Sequence, residues 1–158
     1  MFSTNDIYGK GGEQENLQDL IDTLGANDYI QLRGHADLRD VYPQYELYVT
    51  TSQWETFGLT LMEAAGAGLA LLGFDARYGN PTFIKEGENG FLVPYSETMP
   101  EEELVKELAD KLVQLFESDL APFHQASYDL ASSYLASNVQ EVWKETLMEM
   151  GQFGGKEI

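Results

Sequence analysis

Cysteine is absent from this 158-residue chain, which excludes a disulfide framework and a thiolate zinc site. Only two histidines occur, too few for an imidazole metal centre. Basic residues are scarce as well: 9 Lys and Arg stand against 27 Asp and Glu, for a formal charge of −18. Nucleic acid and anionic lipid both demand a basic face, so neither fits as a partner. No run approaches the ~18–20 apolar residues of a membrane span, and the first residues carry no signal-peptide pattern. A cytoplasmic protein is the simplest expectation. What remains is 43% apolar, enough for one domain with a core of its own.

One stretch concentrates the chemistry. Glu46 to Thr51 reads as a short buried strand, and Leu59, Leu61, Met62, Ala65 and Ala67 fit a short helix. Between them lies the tight turn Glu55-Thr-Phe-Gly58. Such a turn leaves the first helical N–H groups unpaired above the strand end, with the positive end of the dipole behind them. An anion or a ring of hydroxyls fits there. Glu55 lies in the turn, and Glu63 follows on the helix. At ~1.5 Å of rise per residue the two carboxylates stand on the order of 10 Å apart, able to address two parts of one elongated ligand. A helix-terminal carboxylate also has a purely structural use, in the field of the dipole.

Around this stretch, short strands alternate with helices. Residues 1–5 carry no pattern and are expected to be disordered or a tag remnant. Asp6 to Gly9 is a strand ending in the loop Gly9-Lys-Gly-Gly12, either a tight turn or a phosphate cradle. Glu13 to Leu24 forms an amphipathic helix with Leu17, Leu20, Ile21 and Leu24 on one face. Tyr29 to Arg33 is the next strand, closed by Gly34-His35, and Asp37 to Tyr42 a short helix ending before Pro43. Leu69 to Asp75 is apolar enough for the middle of a sheet covered on both faces. A short helix over Thr82 to Glu86 and a strand Phe91 to Val93 follow.

From Pro100 the chain turns helical. One stripe is Leu104, Val105, Leu108, Leu112, Leu115 and Phe116; a second helix covers Pro122 to Leu135. A third starts at Ser137, spaced for a capping box with Gln140, and is expected to bury Val139, Val142, Trp143, Leu147 and Met150. Residues 151–158 are expected to fray. The class is α/β: a parallel sheet with helices on both faces, in one layer stack over 6–150, with a helical C-terminal cover.

The spacing of Glu55 and Glu63, with Phe57-Gly58-Leu59 inside and Ala64 to Gly68 after it, resembles the signature of the retaining glycosyltransferases of family 4. Tyr8-Gly-Lys-Gly-Gly12, Leu32-Arg-Gly-His35, Leu59-Thr-Leu-Met-Glu63, Tyr78-Gly-Asn-Pro-Thr-Phe-Ile84 and Glu88-Asn-Gly-Phe-Leu-Val93 follow in family order. Within the family they are most similar to bacterial O-GlcNAc transferases that glycosylate serine-rich adhesins of accessory secretion systems.

The resemblance implies the Rossmann-like C-terminal half of a GT-B fold, binding a UDP-sugar. Glu55 would be catalytic, beside the donor sugar, its charge stabilising an oxocarbenium-like transition state. Phe57, Gly58, Leu59 and Thr60 would act through backbone N–H groups, the Phe57 and Leu59 side chains packing inward. Gly58 would let the sugar approach closely, and Glu63 would accept both ribose hydroxyls. Arg33 and His35 would lie by the base, and Asn80 would offer the sugar a hydrogen bond.

With no Asp-x-Asp pair, a metal-dependent site is not indicated, and no cofactor is expected. The resemblance places a phosphate-binding Arg and Lys in a unit preceding this sequence. The chain is thus expected to be a piece of a larger enzyme, with little turnover by itself and the N-terminal GT-B domain missing. Further implied partners are a Ser-rich protein acceptor and a non-catalytic glycosyltransferase-like subunit, with membrane association only through such a partner or the missing part. A teichoic acid or polyglycerol-phosphate α-glucosyltransferase is the alternative activity.

Overall fold

The computed structural model describes residues 4–153, the last three as backbone only, and divides into two compact units between Val41 and Tyr42. The first unit holds strand β1 (Asn5–Tyr8), helix α1 (Gln14–Thr23), strand β2 (Ile30–Gly34) and the short helix α2 (Leu38–Val41). β1 and β2 pair in parallel, Asp6 opposite Gln31 and Ile7 opposite Leu32, with α1 as the crossover. Asn5, expected in an unpatterned leader, instead opens β1, its N–H donating to the Tyr29 carbonyl at 2.7 Å. Met1 to Ser3 lie outside the described residues. Of the α1 stripe only Ile21 is buried, while Leu20 and Leu24 are exposed. A two-stranded sheet offers one narrow face for a helix to cover.

Helix α2 ends at Val41, before Pro43 as expected, and the second unit opens on a 3-10 turn, Tyr42–Gln44, that carries the chain through that proline. Strand β3 (Leu47–Thr50), helix α3 (Leu59–Gly66), strand β4 (Ala70–Phe74), helix α4 (Gly79–Phe83) and strand β5 (Gly90–Val93) follow. The three strands run parallel in the order β3-β4-β5, with Val49 opposite Leu72 and Leu72 opposite Phe91. All five residues of β4 are buried, as its unbroken apolar run requires of a strand flanked and covered on both faces. Ala70, Leu72 and Phe74 alternate onto one face, where they pack with Phe91, Val93 and the Leu104 and Leu115 side chains of helix α5 (Glu101–Phe116).

Helix α6 (Ala121–Ser132) is fixed by two hydroxyls: Ser127 donates to the Leu69 carbonyl at 2.6 Å and Tyr128 to the Ala67 carbonyl at 3.0 Å. Each unit is thus a Rossmann-like parallel βα arrangement, but the strands form two sheets where one continuous stack was expected. Helix α7 runs Ala136–Phe153, so residues 151–153 continue a helix where fraying was expected; 154–158 lie outside the described residues. Its apolar side chains are not buried: Val142, Trp143, Leu147 and Met150 are 62%, 61%, 59% and 65% exposed. The periodicity marked an apolar face correctly but could not say whether anything covers it. Ser137 falls inside the helix, its hydroxyl meeting Asn138 rather than capping. No helix among the described residues is long and apolar enough to cross a membrane.

Candidate active site

Everything at the site follows from how the chain leaves β3. Gly58 sits at φ 93°, ψ 51° and caps α3 without any side-chain hydrogen bond. A Cβ there would be strained, and would press on Leu61 Cδ1 at 3.2 Å and Phe83 Cδ2 at 3.3 Å. The expectation put Gly58 there for close approach of a ligand; its left-handed conformation is a second, independent requirement. With no side-chain cap, the first N–H groups of α3 are left to whatever lies above them.

Glu55 is pinned by its backbone. Its carbonyl accepts the Tyr78 N–H at 2.6 Å and the Gly79 N–H at 2.8 Å, and its own N–H donates to the Arg77 carbonyl at 3.2 Å. The loop before α4 is thus laced onto the turn. Phe57 and Leu59 were expected to pack inward, yet are 48% and 60% exposed. The buried positions of α3 are Leu61, Ala64 and Ala65, and Leu59 lies two residues out of phase with that face. Phe57 keeps one contact, edge to face with Phe83 at 5.5 Å.

Glu63 is exposed on α3, with two tyrosines behind it that sequence reasoning missed. The Tyr42 hydroxyl lies 3.5 Å from Glu63 Oε2 and 3.3 Å from the Thr60 carbonyl. The Tyr48 hydroxyl donates to Thr60 Oγ1 at 3.0 Å, and the two rings meet edge on. Burial, then Tyr48 and the charge of Glu63, push the Tyr42 phenol well above its usual range. Burial first also raises Tyr48; its Thr60 hydrogen bond opposes this, and the charges of both Glu55 and Glu63 add to it. One hydroxyl thus feels the charge of both acids. Both phenols stay neutral, and the stability this contributes is complete below the ordinary phenol pKa of about 10 and fades as pH rises beyond it.

Asn80 does something other than expected. It is fully buried, its Nδ2 donating to the Phe74 carbonyl at 2.8 Å and more weakly to Ser52 at 3.4 Å. Because α4 starts at Gly79 rather than Thr82, Asn80 falls in the first helical turn, pointing into the core. It braces the end of β4 against the turn instead of facing a ligand. Thr82 likewise spends its hydroxyl on the Tyr78 carbonyl at 2.8 Å. Glu55, Phe57, Gly58, Leu59, Thr60, Glu63 and Asn80 all belong to the second unit, whereas Arg33 and His35 belong to the first. Arg33 makes an ion pair at 3.0 Å with the buried Asp6 carboxylate, joining β2 to β1, and His35 is exposed. The glycine-rich loop lines a cavity of about 220 Å³ that includes Lys10 and Gly34. A cavity of about 360 Å³ between α3 and α6, lined by Met62, Gly66 and Tyr128 among others, contains none of the expected site residues. No group of three or more potential metal ligands occurs among the described residues.

The candidate site is thus the start of α3 beyond the edge strand β3, uncapped by any side chain, with Glu55 before it and Glu63 within it. The chain belongs to the family of glycosyl transferases group 1, whose pattern matches residues 4–122. Among individual proteins it is 49% identical, over 93% of its length, to the UDP-N-acetylglucosamine–peptide N-acetylglucosaminyltransferase GtfA subunit of Streptococcus gordonii. It superimposes with a TM-score of 0.84 and 48% identity on the pneumococcal O-GlcNAc transferase GtfA in complex with UDP and GlcNAc, over 92% of this chain. A GtfA/B complex gives the same TM-score, at 49% identity and again 92% of this chain. The chain spans 29% of the length of each of these relatives.

Proposed function

We propose that this chain is the donor-binding part of a retaining glycosyltransferase of family 4 that transfers GlcNAc from UDP-GlcNAc to Ser or Thr hydroxyls of a serine-rich adhesin. The observation that carries it is the pair of acids flanking the uncapped start of α3, both within electrostatic reach of Tyr48. In this reading the α3 amides take the diphosphate, without a divalent ion. Glu55 lies against the hexose and stabilises positive charge developing at its anomeric carbon. Glu63 accepts the two ribose hydroxyls, oriented by Tyr42. The relatives named for UDP, GlcNAc and peptide acceptors support the donor and the acceptor, and the GtfA/B complex supports a second subunit. Transfer itself needs an acceptor side facing this one, so the chain by itself binds the donor but turns it over slowly.

Calorimetric titration with UDP tests the reading. Glu63→Ala is expected to weaken UDP binding roughly 10–100-fold, the value of hydrogen bonds to a charged acceptor. Unchanged affinity would remove Glu63 from the site. Tyr42→Phe keeps the ring and loses only the hydroxyl behind Glu63 and Thr60. In the same titration UDP affinity is expected to fall about threefold, and in a thermal melt stability to drop by ~1 kcal/mol. A melt that moves without any change in UDP affinity would make Tyr42 a packing residue alone.

A further inference from the structure

Two large aromatics stand at the same corner, and the reading above uses neither. Trp54 and Tyr78 are 66% and 58% exposed, yet their rings meet edge to face, centroids 6.2 Å apart and planes at 82°. A lone exposed aromatic needs no explanation. Here two of them form a corner that projects into solvent on a rigid frame. The frame is the main-chain lacing of Tyr78 and Gly79 onto Glu55. It is locked by the absence of space at Gly79, where a Cβ would lie 2.5 Å from the Phe57 carbonyl oxygen. The neighbours of both rings in the chain are thus fixed, and one of those neighbours is Glu55 itself.

Two rings at right angles present an apolar floor and an apolar wall, with an indole N–H and a phenol O–H as polar groups of the same pair. A pyranose has the complementary surface: C–H bonds on its faces and hydroxyls around its edge. A nucleobase, flat on both faces, is served by parallel stacking rather than by a corner. The backbone connection also favours the sugar: Trp54 precedes Glu55 in the chain and Tyr78 is bonded to the Glu55 carbonyl, so the pair is tied to the acid assigned to the hexose rather than to Glu63 on α3. We infer that Trp54 and Tyr78 form a stacking corner for the hexose ring of the nucleotide sugar, which distinguishes UDP-sugar from UDP. The inference rests on the reading of the Glu55 turn as the donor site.

The chain has two tryptophans, so Trp143→Phe leaves Trp54 as the one indole, read by selective tryptophan excitation. In that background UDP-GlcNAc and UDP-glucose should each perturb the fluorescence, and UDP alone should not. Trp54→Ala and Tyr78→Ala, each at an exposed position, should lower UDP-GlcNAc affinity roughly tenfold by calorimetry. UDP affinity should change less than about twofold, and Trp54→Phe should keep most of the sugar binding. A circular dichroism spectrum matching the parent controls for folding. If UDP binds but the sugar neither perturbs Trp54 nor loses affinity in the alanine variants, the corner is wrong and the donor-site reading stands. A chain that binds neither UDP nor UDP-GlcNAc overturns both.

Discussion

Gly79→Ala is expected to lower UDP-GlcNAc affinity at least about tenfold and to cost ~2 kcal/mol of stability. The added Cβ would meet the Phe57 carbonyl oxygen at 2.5 Å, Glu55 Cγ at 2.6 Å and the Phe57 carbonyl carbon at 2.7 Å. Two of these are main-chain atoms of the turn, so no rotamer change relieves the clash; α4 and the turn must part. Parting them breaks the bonds from Tyr78 and Gly79 to the Glu55 carbonyl. Glu55, the start of α3 and the aromatic corner then lose their common frame. Calorimetry beside a thermal melt reads both effects, and wild-type affinity in a destabilised variant would show that the turn holds its shape without the loop.

Gly90→Ala should have the largest effect on stability. Gly90 faces Leu71 across the parallel β4–β5 ladder, and a Cβ there would run into the Leu71 carbonyl. Backbone meets backbone in the most buried strand pair, so β5 must be displaced and the Phe91 and Val93 contacts with it. A loss on the order of 3–5 kcal/mol is expected, a large share of the ~5–15 kcal/mol that holds a domain folded. The urea midpoint measures it. Gly87→Ala makes the control: φ is +76° but the space is open, so only ~1–2 kcal/mol of left-handed strain applies. Equal midpoints for the two variants would refute the crowding at Gly90.

What the sequence disclosed and what it concealed divide along a physical line. The apolar run of β4 and the glycine-ended turn before α3 were legible, since burial on two faces and a left-handed cap each restrict which residues can stand there. That Glu63 stands on a helix, four residues past its first, was legible from the apolar spacing around it. Tyr42 behind Glu63 was not, because the two are brought together through the 3-10 turn and the packing of β3, and no local pattern encodes that contact. Asn80 misled because its role turned on where α4 begins. Pro81 is tolerated within a first helical turn, so a boundary placed after it slid by three residues and turned a buried brace into an apparent ligand. On α7 the period was read correctly and the burial was not.

That last helix bears on how the chain behaves in a tube. Trp143, Leu147 and their neighbours form a greasy ridge that water meets directly, on a molecule carrying eighteen surplus negative charges. Mutual repulsion between copies is what keeps such ridges from sticking to one another. Acidifying the buffer or adding salt weakens that repulsion while leaving the ridge untouched, so colloidal stability is best in dilute, mildly alkaline solution.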